Sequence, residues 1–143
     1  MKKIRLSFPY DWPLLRQTPG YLGEWGEYKF YINEEPDGGC DAWIVFNSLT
    51  FKKETSNCPV DRIILITPEP YSTQFYTSRF VSQFSHVITN QNQINHRNIT
   101  ILHTGTPWFV NKSYDELVDL NEKSVEKTKV IKKIREHESK FLK

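Results

Sequence analysis

Residues 62–70 read RIILITPEP, and no other stretch of the chain defines its own structure as sharply. The apolar, β-branched run predicts a strand over Arg62–Thr67. Pro68 and Pro70 end that strand, because proline has no N–H to donate to a sheet ladder. The stretch therefore predicts a strand that leads into a rigid turn carrying the carboxylate of Glu69.

Five further stretches predict strands. Asp41–Phe46 (DAWIVF) is a continuous apolar run between turn residues, which is typical of a strand covered on both faces of a sheet. Trp43 lies inside this run, so we expect it in the core. The other four runs are shorter or alternate between apolar and polar residues: Lys3–Phe8, Tyr28–Asn33, His86–Thr89 and Asn98–Leu102.

Two helices are predicted in the second half of the chain. Thr73–Phe84 carries four aromatic residues near helical spacing, with polar residues between them. Ser113 and Glu116 have the spacing of a capping box, in which each side chain bonds the backbone N–H of the other residue. The succession of strands and helices predicts an α/β fold with a mostly parallel sheet.

Composition limits the classes of protein to which the chain could belong. With 143 residues, of which 38% are apolar, it has the size and the apolar content of one folded domain. A net charge of +2 excludes a strongly basic nucleic-acid clamp. No apolar run approaches the ~18 residues of a membrane span, so we expect no transmembrane segment. The residues after Met1 do not have the pattern of a secretory signal.

Two cysteines, Cys40 and Cys58, are too few for a disulfide framework. We expect both to be reduced thiols in a cytoplasmic protein. A peripheral position at the inner membrane surface stays open, because the basic charge is concentrated at one end. Residues 122–143 carry 8 Lys or Arg against 4 Asp or Glu.

That charge distribution divides the chain into two parts. Residues 1–121 are expected to form the folded domain, and residues 122–143 a basic C-terminal helix or linker. The lysines of this segment have two interpretations: contact with phosphate groups, or the solvated face of a helix.

Glu69 is the leading candidate for a functional residue. Ligands of open α/β sheets bind beyond the carboxyl ends of the strands, and a carboxylate fixed there could take a proton from a hydroxyl. The alternative is a solvated glutamate that caps a helix over residues 71–84. Trp108 follows another predicted strand, and two roles are open for it as well. Its ring could stack on a sugar, or it could pack as a hydrophobic residue under the last helix.

Several kinds of site are not predicted. The four histidines have no metal-ligand spacing, and we expect them to be structural or surface residues. The chain has no glycine-rich phosphate loop and no Gly-x-Ser-x-Gly nucleophile motif. We therefore expect neither a bound metal nor a nucleotide cofactor.

A series of short motifs resembles one enzyme family, in order along roughly residues 40–130. The series is similar to the N-terminal half of glycosyltransferase family 10, the α-1,3/4-fucosyltransferases, in their bacterial and viral form. Its members are DAWIVF at 41–46, ITPEPY at 66–71, FVSQFSHVIT at 80–89, HRNI at 96–99, GTPWF at 105–109, YDEL at 114–117 and KTK at 127–129.

The resemblance implies a GT-B architecture, in which two Rossmann-like domains enclose the active site. The first domain holds an oligosaccharide acceptor, the second binds the GDP-fucose donor, and the transfer inverts configuration without an essential metal. Residues 1–121 would be the Rossmann-like acceptor-side domain. Glu69 would be the general base, and Tyr71 and Trp108 would form the wall of the acceptor site.

The chain departs from the family after Lys127-Thr-Lys129. The donor-binding half should follow there, whereas residues 130–143 favour a helix. We therefore expect a chain that is inactive alone: a truncated gene product, an isolated domain, or a subunit that needs a separate donor-binding domain. Self-association through the surface left open is also expected. The alternative function is a non-catalytic carbohydrate-binding or protein-interaction module.

Overall fold

The computed structural model describes residues 1–103 and 110–122. Seven strands in these residues form one sheet, in the order β2-β3-β1-β4-β5-β6-β7. All neighbours are parallel except the short β2, which is antiparallel to β3. The fold is therefore α/β with a mostly parallel sheet, as predicted. The strands are β1 (Lys2–Ser7), β2 (Glu24–Trp25), β3 (Tyr28–Ile32), β4 (Ala42–Phe46), β5 (Ile63–Thr67), β6 (His86–Thr89) and β7 (Ile99–Ile101).

All six predicted strands are confirmed, with ends that differ by one residue at most. β2 was not predicted, because its two residues lie in the glycine-rich stretch 17–26 and carry no periodic pattern. The carboxyl end of β5 is the one predicted from the two prolines, because Thr67 is the last residue of the strand.

The helix predicted over Thr73–Phe84 is wrong for most of its length. Only α1 (Ser78–Val81) is helical there, and the side chain of Thr77 caps it. Residues 70–74 form a turn in which two backbone N–H groups bond the carbonyl of Pro70. Tyr76 and Phe84 are buried in the core although they do not lie on one helix. The helical spacing of the aromatic residues therefore arises from side chains that pack into the core from irregular backbone.

The second predicted helix is confirmed as α2 (Tyr114–Glu122). Its capping box has the expected geometry: the Ser113 N–H donates to the Glu116 carboxylate at 2.6 Å, and the Glu116 N–H donates to the Ser113 hydroxyl at 3.2 Å. The segment predicted as a basic helix or linker lies outside the described residues, apart from Glu122.

One face of the sheet holds the core. Val45, Leu65 and Val87 occupy one row across β4, β5 and β6 and are fully buried. Trp43 is buried on the same face, as predicted. The opposite face is also apolar but only half-buried, at positions such as Ile44 and Ile66. β4 is therefore covered fully on one face and partly on the other.

A buried ionic network supports the covered face at β1. The Arg5 guanidinium bonds Glu35 at 2.6 Å and Glu54 at 3.0 Å, and its side chain is 8% exposed. Glu54 also accepts a 2.6 Å hydrogen bond from Ser7. The guanidinium lies over the ring of Trp43, 4.5 Å from the centroid. The buried Arg5 and Glu54 thus compensate each other's charge, and the more exposed Glu35 adds a second carboxylate.

The strand order places a topological switch at β1. Its parallel neighbours are β3 on one side and β4 on the other, so the chain winds away from β1 in both directions. The parallel strands end at one edge of the sheet, called the carboxyl edge below, and ligands of such sheets bind there. None of the helices in the described residues has the length and apolar character to cross a membrane.

Candidate functional site

Glu69 lies at the carboxyl edge, two residues beyond the end of β5. Its side chain is half-buried. The carboxylate takes part in no hydrogen bond or ion pair within residues 1–103 and 110–122. The alternative role as a helix cap is wrong, because no helix begins at Tyr71 and the carboxylate accepts no backbone N–H there.

Two side-chain amides fix the backbone around Glu69. They belong to Asn90 and Gln91, which follow β6, the neighbour of β5. Asn90 donates to the carbonyl of Pro68 at 3.1 Å, and Gln91 donates to the carbonyls of Glu69 at 2.7 Å and Gln74 at 3.0 Å. Gln91 is only 2% exposed, so the amide that holds the turn is shielded from competing water.

A third amide, that of Asn47, joins two phenols at the same edge. Asn47 directly follows β4 in the left-handed region, with φ of 67°, which asparagine tolerates better than most residues. Its Nδ2 donates to the Tyr10 hydroxyl at 2.5 Å. Its Oδ1 accepts the hydroxyl of Tyr76. Tyr10 comes from the segment after β1 and Tyr76 from the segment between β5 and α1. Asn47 therefore links the segments that follow the two neighbours of β4 in the sheet.

The carboxylate of Glu69 lies within electrostatic range of both phenols. Burial, and then the charge of Glu69, raise the pKa of Tyr10 above its usual value. Burial raises the pKa of Tyr76 well above the usual range, and Tyr10 and Glu69 raise it further. Both phenols are therefore neutral near pH 7 and keep their protons as hydrogen-bond donors.

This arrangement suits a ligand hydroxyl. A hydroxyl group donates one proton and accepts hydrogen bonds on its oxygen. The unpartnered carboxylate of Glu69 can accept the proton. Tyr10 already accepts from Asn47, so its own phenolic proton is left to donate to the hydroxyl oxygen. A carboxylate and a neutral donor at one edge can therefore orient a hydroxyl and take its proton.

Two exposed aromatic rings follow Glu69 along the chain. Tyr71 is 48% exposed and Phe75 is 61% exposed, and their rings meet edge to face at 5.9 Å between centroids. Rings of this kind offer apolar surface to the C–H face of a sugar. Trp108, predicted beside Tyr71 in the wall of the site, lies outside the described residues.

Asn47, Gln91 and the two phenols are functional candidates that were not predicted from the sequence. A usable signal existed for the amides, because Asn47, Asn90 and Gln91 each follow the carboxyl end of a strand that was predicted correctly. Tyr10 follows β1 in the same way. Tyr76 gave no such signal, since its position depends on a turn that the sequence pattern presented as a helix.

Other candidate groups have structural roles. His86 bonds the Thr100 hydroxyl at 2.8 Å, and His96 bonds the Phe84 carbonyl at 3.0 Å. Both cysteines are free thiols, and burial beside Cys40 raises the pKa of Cys58 to about 12, which removes its nucleophilic form near pH 7. In the described part of the chain, no three His, Cys, Asp or Glu side chains are grouped to hold a metal ion.

No protein-family model, no curated protein and no solved structure matches the chain. The resemblance to fucosyltransferases therefore depends on the ordered motifs alone.

Proposed function

We propose that this chain is the acceptor-side domain of a fucosyltransferase-like glycosyltransferase. The observation that carries the proposal is the carboxylate of Glu69: unpartnered among the described residues, fixed through its backbone by Gln91, and within electrostatic range of two neutral phenols. By the resemblance of the motif ITPEPY at 66–71, Glu69 would be the general base of that family. The parallel sheet with a switch at β1 supports a Rossmann-like assignment.

In the proposed reaction, Glu69 takes the proton of one acceptor hydroxyl. The acceptor oxygen forms a bond to the anomeric carbon of fucose, and the bond from that carbon to GDP breaks, with its electron pair leaving on the phosphate. Tyr10 donates a hydrogen bond to the acceptor oxygen before attack and fixes its direction. The donor, GDP-fucose, is held by a second domain, and closure of the two domains excludes water.

A second candidate function is a carbohydrate-binding module without chemistry. The exposed pair Tyr71 and Phe75 favours it, because stacking on a sugar needs no donor domain. The two functions differ in what Glu69 does. In the enzyme the carboxylate accepts a proton in the transition state, whereas in a module it contributes one hydrogen bond to the bound glycan.

Two measurements on one set of proteins test the proposal. The first is calorimetric binding of N-acetyllactosamine to the chain. The second is transfer of fucose from GDP-fucose when a family donor-binding domain is supplied separately. We expect binding in both the parent chain and Glu69→Gln, and transfer only in the parent, with a loss of about 10²–10⁴-fold in the variant.

Glu34→Gln is the matched control, because Glu34 is exposed in the connection before β4. It should bind and transfer like the parent chain. Binding without transfer under any of these conditions would favour the module. Failure of the parent chain to bind the glycan would contradict both functions.

A further inference from the structure

A cavity of about 420 Å³ opens at the carboxyl edge, away from Glu69. Its wall is formed by the segment after β1 and by the last residue of β3, and includes Trp12, Leu14, Leu15, Tyr21 and Ile32. The volume falls within the roughly 300–1,000 Å³ of small-molecule sites, whose linings are mainly apolar and aromatic. Leu15 is 42% exposed, so part of this apolar wall faces solvent.

The wall is held in place by α2. The Arg16 guanidinium bonds the Glu116 carboxylate and the Asn111 carbonyl, both at 3.1 Å. The Gly20 N–H bonds the Asp115 carboxylate at 3.0 Å, and Gln17 bonds the Lys112 carbonyl at 3.1 Å. The segment that forms most of the cavity wall is thus held by hydrogen bonds to residues about a hundred positions away along the chain.

Charge and backbone geometry indicate the kind of group that fits. Among the described lining residues the ionic side chain is Arg16, which is paired with Glu116, so the cavity favours an uncharged group over an anion. Tyr21 has φ of 61°, in the left-handed region that residues other than glycine adopt rarely. Such backbone persists where the surrounding structure enforces it, and here it places an aromatic residue in the cavity wall.

An aromatic stack connects the cavity with the Glu69 site. The Trp12 ring of the wall stacks on Tyr10, with centroids 4.6 Å apart and planes 12° from parallel. Tyr10 in turn accepts a hydrogen bond from Asn47, and the charge of Glu69 contributes to its raised pKa. β3 and β5 are three strand positions apart, so their ends lie about 14 Å from each other at a spacing of about 4.8 Å. One monosaccharide cannot reach across this distance.

We infer that the cavity binds the apolar aglycone of a glycoside whose sugar hydroxyl lies at Glu69. The inference rests on the proposed function, and it names the substrate class: an acceptor with at least two sugar units and an alkyl or lipid group at its reducing end. The sugar units span the stack of Tyr10 and Trp12. The alkyl group fills the apolar cavity beyond Trp12.

The test compares two ligands with one sugar head, methyl and octyl β-N-acetyllactosaminide, with the octyl compound kept below its micelle-forming concentration. Binding is measured calorimetrically on the parent chain, Leu15→Trp, which fills the cavity, and Leu15→Asp, which puts a charge at its exposed wall. Leu22→Trp is the control, because Leu22 is an exposed leucine nearby that does not line the cavity. Melting curves identify any variant that fails to fold.

The parent chain should bind the octyl glycoside about tenfold more tightly or better, since the alkyl group leaves water. Both Leu15 variants should lose this advantage and keep the affinity for the methyl glycoside, whereas Leu22→Trp should keep both. An octyl advantage that is absent, or that survives in both Leu15 variants, overturns the inference and leaves the proposed function standing. An octyl advantage that depends on Leu15, with no binding of the methyl glycoside, supports the cavity assignment and overturns the proposed function.

Discussion

The buried side-chain amide of Gln91 donates a 2.7 Å hydrogen bond to the backbone carbonyl of Glu69. The two residues follow neighbouring parallel strands, β6 and β5, so the sheet register sets the distance between them. The carboxylate of Glu69 is thereby left for a ligand while its backbone is fixed from inside the protein.

Replacement of Gln91 should therefore affect both the fold and the site. Gln91→Leu leaves two backbone carbonyls without their donor, which should cost about 1–3 kcal/mol of unfolding free energy. Urea unfolding measures this loss, and calorimetry should show weaker glycan binding. Gln83→Leu is the matched control, because Gln83 is exposed and its replacement should change stability by less than about 0.5 kcal/mol. Equal effects of the two variants would contradict a special role for Gln91.

The pair Arg5 and Glu54 should dominate the ionic contribution to stability. Their side chains are 8% and 4% exposed, so Glu54→Ala leaves a buried guanidinium without one partner and should cost about 3–5 kcal/mol. The exposed pair of Lys29 and Glu24 has a similar separation, 3.2 Å. Glu24→Ala should cost about 0–1 kcal/mol. Urea unfolding of both variants checks the difference, and similar losses would refute it.

Acid should weaken the start of α2. The Ser113 N–H, and then Arg16, lower the pKa of Glu116 from 4.5 to about 2. A lowered pKa in the folded state means that the carboxylate stabilises the fold above pH 4.5, and that this contribution is lost as the pH falls towards 2. Glu116→Gln should lower the melting temperature at neutral pH and reduce its decrease between about pH 5 and pH 3. Glu27→Gln, at an exposed ion pair, should leave the pH profile unchanged.

Alkali should weaken the link between the two phenols. The pKa of Tyr76 in the folded state lies above the usual 10.0. The folded state therefore keeps a proton that the unfolded chain loses, and stability falls as the pH rises above 10. Tyr76→Phe should reduce this fall in urea unfolding at about pH 9 to pH 11. Tyr28→Phe, at an exposed tyrosine, should not, and an equal fall in both variants would contradict the assignment.

The strands could be predicted because each is encoded locally. Ile63–Thr67 is largely apolar on both faces, and Pro68 follows it directly. The apolar pattern and the proline therefore both predict a strand that ends at Thr67. The capping box of Ser113 and Glu116 is equally local, since its two hydrogen bonds join residues three apart. For the same reason the position of Glu69 beyond the end of β5 could be read from the sequence.

The rest of the site could not be predicted because it depends on distant segments. Asn47 links Tyr10 and Tyr76, which are separated from it by 37 and 29 residues. The aromatic pattern around Tyr76 fits a helix and a folded-back turn equally well, and Pro70 with the capping Thr77 selects the turn. The wall of the apolar cavity likewise depends on distant residues, because Asp115 and Glu116 of α2 bond the segment after β1.

The position of Glu69 opposite a sugar hydroxyl can be tested through the ¹³C resonance of its carboxyl carbon. N-acetyllactosamine is added to the chain labelled at glutamate carboxyl carbons and at side-chain amides, with Glu34 as the internal reference. We expect the resonances of the Glu69 carboxyl and the Asn47 amide to move together with one binding constant, while the Glu34 resonance does not move. Saturation with the glycan that leaves the Glu69 resonance in place would contradict this expectation.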